Sequence, residues 1–260
     1  MEDKRISVVR AKELYVGRLN GHLGTRVMEK DLIDRYTLET FESDPVTSGK
    51  AGGAATGATG DENVMNFGSN AFEYHMLGAG QTILAPSLVA TGLLVTLDQI
   101  NDEGIEITQG ILARSKMAFV VGTDSFFFKL NFTIADVTGT DDCAVGFRSA
   151  EAYDAAIATY NDSAVLNMIS GNITIETVVG GAGAVVTDTL DNWVDTETHT
   201  LAVFVDKGGV VTYEIDGAAP TTIAAYTFVD GATLIPFFYF LHAAVAPGDV
   251  IFHSWECGLQ

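Results

Sequence analysis

Phe126-Phe-Phe-Lys-Leu-Asn-Phe-Thr-Ile134 decides the fold class. Side chains alternate across a strand, so Phe126, Phe128, Leu130, Phe132 and Ile134 share one face of an extended segment. Thr200-Leu-Ala-Val-Phe-Val-Asp206 repeats the pattern with Leu201, Val203 and Val205. Turn signals follow it: Asp206-Lys-Gly-Gly209 reads as a hairpin turn, and Asp216-Gly217 ends the next strand. The Gly-rich Val178-Val-Gly-Gly-Ala-Gly-Ala184 joins two strands and lacks the Lys-Ser/Thr of a phosphate loop, so it reads as a third hairpin.

Working outward, runs rich in Val, Ile, Thr, Phe and Tyr bounded by Gly, Asp and Asn give further strands. They are Gln81–Leu84, Leu93–Leu97, Gly104–Thr108, Met117–Val121, Cys143–Arg148, Ile173–Val179, Val185–Thr189, Val210–Ile215, Ile223–Phe228, Leu234–Leu241 and Val250–Cys257. Many short strands with turns between them indicate an antiparallel sandwich. One helix is expected in this body, the Ala-rich, Ser-capped Ser149–Tyr160. Another is expected at Asp31–Phe41, with Leu32, Ile33, Tyr36 and Leu38 on one side.

Charge divides the chain. The first 36 residues hold eight of the 14 Lys and Arg against six of the 34 Asp and Glu, a net +2, and the rest nets −22. The tract Thr47–Gly60, rich in Gly, Ala and Thr, lies between and reads as flexible. The expected organisation is an extended N-terminal anchoring arm over 1–44, a linker over 45–63 and a sandwich over 64–260. Arg5, Arg10, Lys12, Arg18, Arg26 and Arg35 are the candidate partner-binding residues of the arm. A body this acidic does not bind nucleic acid directly, because phosphate contacts need Lys and Arg. The opening Met1-Glu-Asp-Lys-Arg-Ile lacks the apolar stretch of a secretion signal. The apolar run Leu234–Ala246 is too short to span a membrane. Two cysteines, Cys143 and Cys257, define no disulfide framework and read as buried thiols, with a single bridge between them as the alternative.

The segment Asp191-Asn-Trp-Val-Asp-Thr-Glu-Thr-His-Thr-Leu-Ala-Val-Phe-Val-Asp206, followed by Gly209-Val-Val-Thr-Tyr-Glu-Ile-Asp-Gly217, resembles the legume-lectin and laminin-G type sandwich. Ala144-Val-Gly-Phe-Arg148 looks like an inner strand of that fold, and Phe252-His-Ser-Trp-Glu256 like its closing strand. The resemblance covers roughly residues 80–260 and implies a concanavalin A-like jelly roll. The arm-plus-sandwich layout and Ala/Thr/Gly/Asp-rich composition also resemble virion structural proteins of tailed bacteriophages. That likeness implies an assembly role, a virion location after synthesis in the host cytoplasm, and capsid or other virion proteins as partners.

Catalytic patterns are weak. Retaining glycosidases need two carboxylates about 5–5.5 Å apart. Glu214-Ile-Asp216 begins a Glu-x-Asp-x-Glu pattern and then continues Gly-Ala218, while Glu103 and Glu106 fall on opposite strand faces. There is no Gly-x-Ser-x-Gly elbow, and His199, His242 and His253 lack zinc spacing. The acidic loop Asp136–Asp142 offers Asp136, Asp141 and Asp142 as calcium candidates, although a solvated turn explains it better. No catalytic residue and no required cofactor are expected. Trp193, Asn192, Tyr153 and Tyr160 are candidates for holding a sugar. The expected function is therefore a non-enzymatic, self-associating capsid decoration or minor capsid protein. The alternative is a glycan-binding adhesin or tail-fibre module.

Overall fold

The computed structural model describes residues 35–42, 46–48, 63–67, 70–77, 84–96, 100–110, 117–243 and 249–260. The strands are β1 (Tyr36–Glu39), β2 (Val46–Ser48), β3 (Asn63–Phe67), β4 (Asn70–Leu77), β5 (Leu84–Val89), β6 (Gly92–Thr96), β7 (Gly104–Thr108), β8 (Phe119–Val120) and β9 (Phe126–Ile134). They continue with β10 (Thr140–Ser149), β11 (Ser163–Ile169), β12 (Asn172–Val178), β13 (Ala184–Asn192), β14 (Thr198–Val205), β15 (Val211–Ile215), β16 (Thr233–His242) and β17 (Val250–Leu259). The only helical element among the described residues is one 3-10 turn, Ile157–Thr159. Every pairing is antiparallel. One sheet of seven strands runs β15-β14-β9-β17-β6-β5 with β1 on β17; the other, of ten, runs β13-β12-β11-β10-β16-β7-β4-β3-β2 with β8 on β16. The two pack face to face as an antiparallel sandwich, as the alternation had indicated, in the jelly-roll form that the lectin-like resemblance implied.

The core lies where the alternation places it. Phe126, Phe128, Leu130, Phe132 and Ile134 are all fully buried, and across the ladder Leu201, Val203 and Val205 face Leu130, Phe128 and Phe126. From the opposite sheet Phe147 meets Phe126 edge-on at 5.0 Å, and Phe238 meets Phe132 at 5.6 Å. Each such ring contributes roughly 1.5–3 kcal/mol through burial. Strands β7 and β16 approach so closely that a Cβ on Gly104 would lie 1.8 Å from the Phe240 carbonyl oxygen. Only glycine fits there.

The hairpins form where the turn chemistry puts them. Asp216 and Gly217 take φ of 52° and 79°, and Ile215 and Ala218 exchange backbone hydrogen bonds across them. Gly180 and Gly181 supply the left-handed residues between β12 and β13.

Five expectations change. Within Asp31–Phe41, residues 36–39 form a strand rather than a helix: β1 pairs with β17 from Tyr36↔Gly258 to Glu39↔Trp255. Phe41 then enters the core against Phe67 at 5.1 Å. Pairing with β17 satisfies this backbone, buries Thr37 and leads Phe41 into the core, which outweighs the weak local preference for helix. Thus part of the stretch read as the arm belongs to the sandwich, and Val46–Ser48, within the stretch read as linker, pairs with β3. Ser149–Tyr160 is an irregular crossing segment, held by the contacts described below. Ile223–Phe228 is a loop touching the sheet through the Val210↔Thr227 bridge. Residues 81–83 of the Gln81–Leu84 strand lie outside the described residues.

Candidate functional site

The ten-stranded sheet turns one face to the core and the other outward. The outer face carries Glu106 on β7, Phe237 and Tyr239 on β16, Arg148 on β10, Asn167 on β11 and Glu176 on β12. Over part of it folds the β10–β11 connection, residues 150–162. Ile157 and Tyr160 pack there with Phe237, Tyr239, Ala144 and Val165 as a second apolar cluster. Tyr153 stacks on His75 at 5.0 Å with planes 7° apart.

A buried ionic network anchors this segment. Arg148 donates to Glu106 Oε1 through Nε at 3.0 Å and Nη2 at 2.6 Å, and both side chains are fully buried. Arg148 Nη1 donates to the Ser149 and Glu151 carbonyls at 2.9 and 3.0 Å. Tyr160 Oη donates to Glu106 Oε2, and the guanidinium lies 4.4 Å from the Tyr160 ring centroid. Burial, reinforced by the Glu106 charge, raises the Tyr160 hydroxyl well above its usual value. The carboxylate therefore keeps its proton donor at any ordinary pH.

Beside the segment lies a polar cluster that no motif announced. Asn167 Nδ2 donates to Asp142 Oδ1 at 2.6 Å and to Glu176 Oε2 at 2.8 Å. Its Oδ1 accepts the Cys143 N–H at 2.9 Å, which fixes the orientation of the amide. Burial raises the Asp142 carboxyl, and the neighbouring Asp141 charge adds to the rise against the Asn167 bond. Burial raises Glu176 too, with the Asp142 charge adding to it. Among the described residues Asp142 Oδ2 and Glu176 Oε1 accept no hydrogen bond, so each carboxylate keeps an acceptor to offer. Both carboxylates accept from one amide nitrogen.

The residues singled out in the sequence scatter. Trp193 is 2% exposed, packed on Phe132 at 4.8 Å and on His199 at 4.5 Å, so its ring offers a sugar no face. Asn192 is exposed at the end of β13. Tyr160 is buried in the Glu106 network, and Tyr153 is half-buried beside it on the outer face. Asp136 caps its own turn, accepting from Thr138 N, Thr138 Oγ1 and Gly139 N. The Thr138 hydroxyl, more than the two backbone bonds, draws its carboxyl below the usual value despite some burial. Asp141 is exposed, and Asp142 turns toward Asn167 and away from Asp136's turn. Among the described residues no group of three or more His, Cys, Asp or Glu is placed to hold a metal. Arg35 donates to the Ala118 carbonyl at 3.0 Å and lies 3.7 Å from Asp124, tied to its own sandwich. Arg5, Arg10, Lys12, Arg18 and Arg26 lie outside the described residues.

No protein-family model matches the chain, and no curated protein does. Among solved structures, a protein of unknown function from Shewanella oneidensis MR-1 aligns over 93% of this chain and 97% of its own, at TM-score 0.51 and 7% identity. The carbohydrate recognition domain of Emp47p covers 72% of this chain and 88% of its own at TM-score 0.47 and 12% identity. The carbohydrate-binding module CBM66 from Bacillus subtilis covers 67% and 92%, at 0.42 and 15%. The first likeness is one of fold alone, and the other two carry no argument about function.

Proposed function

We propose that the sandwich is a non-enzymatic glycan-binding module whose ligand lies on the outer face of the ten-stranded sheet, beside residues 150–162. The observation that carries this reading is the pair of half-used carboxylates, Asp142 and Glu176, splayed from Asn167. Desolvated carboxylates are strong acceptors, and sugar hydroxyls are donors that would relieve their burial. With a net charge of −20, the chain repels anionic polymers, so the ligand class is a neutral glycan. Affinity electrophoresis of the full chain through gels containing neutral polysaccharides tests it. Retardation that is lost in a folded Asp142→Ala/Glu176→Ala variant supports the reading. Release of reducing ends instead would make the site catalytic.

A second reading, a virion surface component held by its N-terminal segment, is favoured by one observation, the split between +2 in the first 36 residues and −22 in the rest. The two readings are compatible, since a shell can display a glycan-binding body. Co-sedimentation with shells that lack the protein tests this one: saturable binding that requires residues 1–34 supports it, and no binding defeats it.

A further inference from the structure

Sheet edges present unpaired backbone groups and are normally protected. Three of the four path-end strands here are: β2 is three residues long, β5 carries Pro86 and a register shift, and β15 is flanked by the Val210↔Thr227 and Ile215↔Ala218 bridges. The fourth, β13, is nine residues long and, among the described residues, pairs only with β12. Its far half is occupied, because Thr222 N donates to the Thr189 carbonyl at 2.9 Å and Thr221 bonds Asp191 through both N and Oγ1. Among the described residues the near half, Ala184 to Asp188, has no such neighbour.

That half exposes one valine on each face. Val185 is 65% exposed and Val186 53%, with Val179 at the hairpin 58% exposed and Leu190 beyond 62%. A strand with an open edge and an exposed valine on each face is finished when another strand continues the sheet. The free stretch 184–188 is centred on Val186. A two-fold axis there sets Val186 against its own copy, Val185 against Thr187, and each Asp188 against Ala184 of the second copy. No like charges face each other in that register, and both valine faces close.

We propose that β13 is a homodimer interface in which two copies pair residues 184–188 antiparallel about Val186, making one continuous sheet. An interface of one short strand is smaller than the roughly 1,200–2,000 Å² of a stable complex, so the dimer is a concentration-dependent one. The two acidic bodies repel, so added salt strengthens it.

Sedimentation velocity of the full chain across a wide concentration range, at low and high salt, tests this. The expected result is a monomer–dimer equilibrium that shifts toward dimer with salt. It should be abolished by Val186→Lys and retained by Val229→Lys, which alters a 68% exposed valine outside the edge. Circular dichroism checks that both variants fold, and amides at 184–188 should gain exchange protection with concentration. A monomer under every condition overturns the proposal and leaves the edge to a strand from another protein. A dimer indifferent to Val186→Lys, or equally lost with Val229→Lys, overturns it as well.

Discussion

Replacing Glu106 with Gln isolates the charge that holds the crossing segment on the sheet. The change preserves shape and one acceptor oxygen but leaves the Arg148 guanidinium, fully buried, with no counter-charge. Removing one partner of a buried ion pair costs about 3–5 kcal/mol. The lower figure applies here, because Arg148 keeps its bonds to the Ser149 and Glu151 carbonyls. Glu106→Leu with Arg148→Met removes both charges, and such apolar replacements are typically neutral or stabilising. The double variant should therefore recover most of the loss, apart from about 1–3 kcal/mol for the Tyr160 hydroxyl, which keeps only its longer bonds with the Asp154 backbone. Urea denaturation of the wild type, Glu106→Gln and the double variant, read at constant slope, gives the three free energies. Hydrogen exchange over residues 150–162 shows whether the segment lifts. A Glu106→Gln cost below about 1 kcal/mol, the range of solvent-exposed pairs, would refute a dry, charge-locked network.

Trp193→Ala should lose about 3–5 kcal/mol, as for other buried aromatics. Trp193→Phe should keep glycan retention in the affinity gels, and its loss in a folded Trp193→Phe protein would return the indole to the binding site. Burial drives the Cys143 thiol well above its usual value and pushes Cys257 up to about 12, so neither should react with iodoacetamide at neutral pH until urea unfolds the chain. For Glu176 the folded value is raised above the unfolded one. Its contribution to stability is therefore present below the ordinary carboxylate range and is lost as pH rises through the raised value. Glu176→Gln, whose amide oxygen can still accept from Asn167, should raise the melting midpoint at neutral pH and leave it unchanged in strong acid. An equal shift at both pH values would assign the effect to packing. Gly146→Ala should fail to yield folded protein or melt far lower, since its Cβ would sit 2.2 Å from the Ala164 carbonyl oxygen.

What could be read from the chain was what local chemistry decides. The β9 alternation, the Asp216-Gly217 turn and the Gly180-Gly181 hairpin depend on neighbours in sequence, and all three stand as read. Ser149–Tyr160 misled because its alanines favour helix, whereas Arg148, Tyr153 and Tyr160 find partners on β7 and β4 that no local pattern encodes. The polar cluster was hidden for a related reason. Asp142, Asn167 and Glu176 sit on three strands and meet only through the registers Ala144↔Asn167 and Val165↔Glu176. A faint signal did exist for one of them: Asn167 interrupts the apolar run Ala164-Val-Leu-Asn-Met-Ile169, whereas Glu176 sits on the polar phase of the alternating Ile173-Thr-Ile-Glu-Thr-Val178. Polar residues in buried strands are bonded to something. Trp193 was chosen for its residue type, and position in the core decided otherwise.

The most direct measurement is binding of the full-length protein to an array of neutral and acidic glycans, beside a folded Asp142→Ala/Glu176→Ala variant. Retention on a subset of neutral glycans, lost in the variant, is the expected result. A folded wild-type protein that binds no glycan, or that binds equally well without the two carboxylates, would contradict a glycan site on this face.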